Sequence, residues 1–238
     1  MMKTFNLLKK KLLNINNDEI KTNEAQKKGL DQDKYLDKLE LSYLFSIFNL
    51  YEKVRQLPGH IVEVGVGAGR NSIIFGNLLK ITSQHNNYKY FGFDTFKNYT
   101  EKEFIENPSL IKNRSKWDGN SLQYVQNRIK NHGLENICAF IEGDIRNSLD
   151  SFLKKSNLKK SSDSFYCKLL YIDTSSYTPS KIAMEKLYDH IVPGGIISID
   201  QRTQGGETNA IIDFCKDRSL EVKTGKFFND VPAYIVKK

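Results

Sequence analysis

The chain has 238 residues, 39% of them hydrophobic and 11% aromatic, enough for one large α/β domain with a small extension. No apolar run approaches the roughly 20 residues of a membrane span, and Met1 to Lys10 hold no apolar core long enough for a signal peptide, so a cytoplasmic protein is expected. The net charge of +8 is spread along the chain and no nucleic-acid motif accompanies it, which favours a solvated basic surface over a nucleic-acid partner. Cys138, Cys167 and Cys215 are far apart and lack C-x-x-C spacing, which suits buried free thiols.

Residues 1–30 are rich in Lys and Asn, with seven Lys against three acids. From Tyr35 to Val54, apolar residues recur at three- and four-residue steps, the pattern of an amphipathic helix. Leu57-Pro58-Gly59 ends it, so residues 1–57 read as a helical N-terminal extension and 58–238 as the main domain. Strands are expected at 60–64, 88–93, 137–142, 165–172, 196–200, 219–224 and 232–237. Helices are expected at about 70–82, 121–132, 147–156, 179–190 and 207–217. Strands alternating with helices imply a mostly parallel seven-stranded sheet covered on both faces. The last two strands have no helix between them, which predicts a terminal antiparallel hairpin. Pro193-Gly194-Gly195 reads as the turn before the fifth strand. Residues 95–120 break the alternation; a long irregular insert after the second strand, at the ligand-binding edge of the sheet, reads as a lid.

The most informative stretch is Ile61-Val62-Glu63-Val64-Gly65-Val66-Gly67-Ala68-Gly69-Arg70. A β-branched run, three spaced glycines and a helical pattern make a strand, a tight turn and a helix N-terminus. There, backbone amides can approach a nucleotide-like ligand. A dinucleotide fingerprint starting at Gly65 needs glycine at 70, where Arg70 stands. That counts against an NAD(P)-dependent oxidoreductase, the competing enzyme class. Gly65, Gly67 and Gly69 permit positive φ and close approach, and Val66 and Asn71 flank them. Glu63 is placed to reach a ligand cation such as a methionine ammonium.

Asp94, with Thr95 and Phe96, ends the second strand, where a carboxylate can accept both hydroxyls of a ribose. Gly143, Asp144 and Ile145 follow the third strand, where an adenine amine would be met; Asp144 also suits a helix N-cap. The fourth and fifth strands deliver Asp173 and Asp200 to their C-terminal ends. If the two strands are neighbours, both acids face one cleft, where they could bind a hard divalent cation or accept a proton. None of the four histidines falls at a strand C-terminus, so a histidine base is not expected.

The E-x-G-x-G-x-G run resembles motif I of the S-adenosylmethionine (SAM) dependent methyltransferases. Over about residues 57–237 the chain is similar to the macrocin O-methyltransferase (TylF/MycF-like) family of sugar O-methyltransferases. The likeness is carried by Pro58 to Val66, Phe91 to Phe96, Tyr171-Ile172-Asp173 with Tyr177, Leu187-Tyr188 leading to Val192-Pro193-Gly194-Gly195, and Ile199-Asp200. The resemblance implies a Rossmann-like methyltransferase fold with SAM as cofactor and a small-molecule or saccharide acceptor. It also implies a lid and N-terminal helices that help form a homodimer. It gives Asp173 the task of orienting or deprotonating the acceptor.

In relatives, aspartates matching Asp173 and Asp200 help bind Mg2+. The family commonly reads D-x-D-x-Y after the fourth strand and D-D-Y after the fifth. Here Ser175 replaces the second acid of the first motif, and Gln201, beside Arg202, replaces an acid of the second. Asp173, Asp200 and Gln201 would make a weaker divalent site; without metal, Arg202 could serve an anionic acceptor. The lost acids and the basic charge also allow a catalytically inactive methyltransferase-like binding module.

Overall fold

The computed structural model describes residues 37–113, 115–157, 165–200, 206–228 and 231–238. The chain divides into two compact units, Met1–Leu44 and Phe45–Lys238. The division falls within helix α1 (Lys38–Val54), and the expected boundary at 57/58 lies inside the second unit. Among the described residues, no helix is long and apolar enough to cross a membrane.

The second unit is a sheet with helices on both faces. Its elements are β1 (His60–Val64), α2 (Arg70–Ile81), β2 (Tyr90–Asp94), α3 (Glu101–Glu106), α4 (Leu122–Asn131), β3 (Cys138–Glu142), α5 (Ile145–Asn157), β4 (Cys167–Ile172), α6 (Tyr177–Leu187), β5 (Ile191–Ile199), α7 (Gly206–Arg218), β6 (Lys223–Phe228) and β7 (Val231–Val236). The seven strands lie in the order β3-β2-β1-β4-β5-β7-β6. β1 to β5 are parallel, and β7 runs antiparallel to both β5 and β6. The parallel sheet and the terminal hairpin are therefore as the alternation predicts.

Parallel strands covered on both faces need apolar side chains on both. All six residues of β4 are buried. Alternation along β1 sends Val62 and Val64 to the face packed by Leu149 of α5, Ala183 and Met184 of α6 and Phe214 of α7. Ile61 and Glu63 take the opposite face, where α2 packs Phe75 against the rings of Tyr90 and Tyr171 at 6.4 and 5.6 Å.

Three expectations are revised. β5 begins at Ile191 rather than 196, because Pro193-Gly194-Gly195 forms a bulge inside the strand instead of a turn before it. Gly194 and Lys237 close that bulge through a 2.8 Å bond from the Gly194 amide to the Lys237 carbonyl. β6 begins at Lys223, four residues later than expected, because Ser219 at φ +51 and the Leu220 amide bonded to the Cys215 carbonyl end α7 in a turn before the strand starts. The insert at 95–120 is partly regular: it holds α3, started by a Thr100–Glu103 capping box, and a 3-10 turn at Pro108–Asn113. The three cysteines are free and buried, as expected.

Candidate active site

Strand order reverses between β1 and β4, and open α/β sheets bind ligands beyond the strand C-termini at such a switch point. A cavity lies there. Its walls are Gly65 and Gly67 after β1, Asp94 and Thr95 at the end of β2, Gly143, Asp144 and Ile145 after β3, and Asp173 and Thr174 after β4. The insert closes it with Asn98, Tyr99, Glu103, Trp117 and Asn120, and Arg146 and Thr178 complete the rim.

The glycine turn is fixed by backbone. Gly65 sits at φ +92, and a Cβ there would stand 2.1 Å from the Asp173 carbonyl oxygen. Gly67 is at φ +52 beneath the Trp117 indole, which a Cβ would meet at 2.6 Å. Gly69, at φ +82, occupies the N-cap of α2. Gly67 donates to Asp94 Oδ2 at 2.9 Å and Phe96 donates to Oδ1 at 2.6 Å, so two amides orient the carboxylate that lines the cavity. Burial raises the Asp94 pKa above the usual carboxylate range despite these bonds.

Glu63 is the main correction among the candidate residues. Its alternation places it on the α2 face of the sheet, where it accepts hydrogen bonds from Asn71 at 2.9 Å, Ser72 at 3.4 Å and the Tyr90 hydroxyl. It is wholly buried and does not line the cavity, so it ties β1 to α2 and β2 instead of meeting a ligand cation. Burial drives its pKa well up, and its three donors match a buried acid. Asn71 serves that network. Val66, Gly69 and Phe96 shape the turns from behind the lining; the Phe96 ring packs edge-on to Phe140 at 6.1 Å.

Asp144 does line the cavity, but it also accepts the Arg146 amide at 2.9 Å and a two-pronged contact from the Arg146 guanidinium. That pairing lowers its pKa. The helix-capping role and the cavity position coexist.

Asp173 is partly buried at the cavity wall, with its pKa raised to about 8 by desolvation and then by the charge of Asp200. Asp200 lies at the end of β5 and accepts from the Tyr171 hydroxyl. β4 and β5 are neighbours, so the two acids approach one another as the adjacency argument requires. Gln201 and Arg202 lie outside the described residues. Among the described residues, no group of three or more His, Cys, Asp or Glu side chains is arranged to hold a metal ion.

Several residues have no signature in the sequence. Glu207, in the first turn of α7, is 1% exposed and accepts from the Ser175 amide. Burial, then the charge of Asp173, drives its pKa well up. The insert is pinned to the same loop: Asn107 donates to the Ser175 carbonyl at 2.7 Å, and Thr178 donates to Glu106 at 2.8 Å. At its other end, Asn120 donates to the Gly67 carbonyl at 3.1 Å. Only Trp117 carried a signal, as the single tryptophan in an otherwise irregular stretch.

Fold and site together define an α/β protein with a cavity at the switch point of its sheet, walled by glycines and carboxylates. A profile described as "Methyltransferase domain" matches residues 62–201, more than half of the chain, and the chain belongs to that family. No curated protein sequence matches it. Among solved structures, CalS11, described as a calicheamicin methyltransferase, superposes with a TM-score of 0.72 at 21% identity, over 95% of this chain and 89% of that one. Its apo form, described as a TDP-rhamnose 3'-O-methyltransferase, gives 0.62 at 21% identity, over 95% and 90%. The O-methyltransferase NovP gives 0.67 at 18% identity, over 83% and 80%. At these identities the likeness establishes the methyltransferase fold.

Proposed function

We propose that the chain is a SAM-dependent O-methyltransferase acting on a sugar hydroxyl of a glycan or secondary metabolite. The observation that carries this reading is a single cavity bordered by the glycine turn, Asp94, Gly143–Asp144 and Asp173. The residues present fit the cofactor. Gly65 and Gly67 let the turn pack closely against the Asp173 carbonyl and the Trp117 indole, where any Cβ would clash. The Asp94 carboxylate accepts amides of Gly67 and Phe96, with a further one from Val66, and keeps lone-pair capacity for a ribose hydroxyl. Gly143 and Asp144 border the place of the base.

SAM, when bound, supplies a methyl group on a sulfonium. The protein's part is to align the acceptor oxygen and take its proton. Alignment can supply much of the acceleration in such a transfer. Asp173 is the acid at the cavity wall that can accept the proton at a carboxylate oxygen. Its raised pKa shifts it toward the protonated acid in the ligand-free protein, and a cation placed beside it favours the ionised base. Tyr99 and Trp117 of the insert exclude water from this end. The description of CalS11 as acting on TDP-rhamnose supports a sugar acceptor.

The test is methyl transfer from SAM to a panel of nucleotide-linked sugars, free glycosides and glycosylated metabolites, read by mass spectrometry. A singly methylated sugar product is expected. Transfer only to non-sugar hydroxyls would overturn the acceptor class, and SAM binding without any transfer would favour the inactive binding module.

A further inference from the structure

One polar atom at the cavity wall is unmatched. Asn120 stands at the end of the insert, just before α4, and lines the cavity. Its Nδ2 donates to the Gly67 carbonyl at 3.1 Å. Its Oδ1 is shielded from solvent and has no hydrogen-bond partner among the described residues. An unmatched buried acceptor costs about 1–3 kcal/mol, so the structure around it calls for a partner. Flipping the amide does not relieve it, because Oδ1 would then oppose the Gly67 carbonyl, acceptor against acceptor.

Nor can the side chain swing away without cost. The Asn120 amide is bonded to the Trp117 carbonyl at 3.0 Å, and the Trp117 indole is packed down on Gly67. The side chains that line the cavity around the glycine turn add further acceptors, the carboxylates of Asp94 and Asp173. The Gly67 amide is already spent on Asp94. A ligand group that completes this wall is therefore a donor, and a cationic one is favoured by the two carboxylates. The Trp117 face next to it already accommodates a cation, Lys116 Nζ, 4.7 Å from the ring centroid.

We infer that Asn120 is a cofactor-binding residue whose Oδ1 accepts a hydrogen bond from the α-ammonium of SAM. The inference rests on the methyltransferase reading. It gives the insert a direct part in cofactor recognition, and it moves to Asn120 the ammonium contact expected of Glu63, whose carboxylate is spent on the other face of the sheet.

The experiment is calorimetric titration of wild type, Asn120→Ala and Asn120→Asp with two probes. These are S-adenosylhomocysteine and the same thioether lacking its α-amino group. A hydrogen bond to a charged group is worth about 1.5–3 kcal/mol, roughly 10- to 100-fold in affinity. Wild type should prefer the amino-bearing probe by about that factor. Asn120→Ala should lose most of the preference by weakening only the amino-bearing probe. Asn120→Asp retains an acceptor and should keep the preference.

Equal weakening of both probes in Asn120→Ala would show a merely structural clamp and overturn the inference. So would unchanged binding of both. Failure of wild type to bind either probe is a different outcome, which overturns the methyltransferase reading and this inference with it.

Discussion

The two ends of the cavity are built on different principles. At the glycine-turn end, the groups are delivered by strand termini and oriented by backbone: Gly67 and Phe96 amides hold Asp94, and the Asp173 carbonyl lies against Gly65. At the Asp173 end, side chains far apart in the chain hold one another, with Asn107, Glu106 and Glu207 all fastening the loop that follows β4. A backbone-built end constrains few side chains, so most changes there are tolerated unless they touch a glycine or Asp94. A side-chain-built end can be remodelled one residue at a time, as suits a surface that chooses the acceptor.

The comparison is broken most sharply at Asp173. Asp173→Asn should lower the methyl-transfer rate by roughly 10²–10⁴-fold, the span of a lost general base and a far larger effect than on S-adenosylhomocysteine affinity in a titration. The same residue sets two pH dependences. For wild type, kcat/KM should rise with pH toward the Asp173 pKa of about 8. Its folded-state pKa is raised, so the folded protein binds the proton more tightly than the unfolded chain does. Stability is therefore greatest at low pH from this group and falls as pH climbs from about 4 to about 8. Urea melts across that window should show the decline, and Asp173→Asn should flatten it.

Next in size is Gly65→Ala. The substitution puts a Cβ 2.1 Å from a carbonyl oxygen at φ +92, where side chains are strained. A loss of at least about 3 kcal/mol is expected in chemical denaturation. A smaller effect is expected from Glu207→Gln, which weakens the hold on the Ser175 amide without touching the glycine turn. About a tenfold rise in acceptor KM, at unchanged cofactor affinity, would follow from weakening a hydrogen bond worth about 1.5 kcal/mol. Equal loss at both ends would mean the two halves are not separable.

The same division explains what the sequence made legible. Glycines at 65, 67 and 69 and acids at the ends of β2 and β4 are spaced along single strand-turn-helix units, so local chemistry reveals them. The pairing of Asp173 with Asp200 depends on β4 and β5 being neighbours, as they are in the sheet. Glu207 escaped notice because its partner Ser175 is distant in sequence, and an acid in a first helical turn reads as ordinary dipole compensation. Glu63 misled for the opposite reason. Its motif was plain, but period-two alternation sends its side chain to Asn71 and Tyr90, and only packing shows that these are there to receive it. The bulge at Pro193-Gly194-Gly195 reads as a turn until the bonds to Lys237 close it.

The central claim is that this cavity seats an adenosyl cofactor on the glycine turn, with Asp94 receiving its ribose. Calorimetric titration of S-adenosylhomocysteine into wild type and Asp94→Ala tests it most directly. Micromolar binding by wild type, weakened at least about tenfold by loss of the two ribose bonds, is the expected result. No binding by wild type at high micromolar ligand, or equal binding by both proteins, would contradict it.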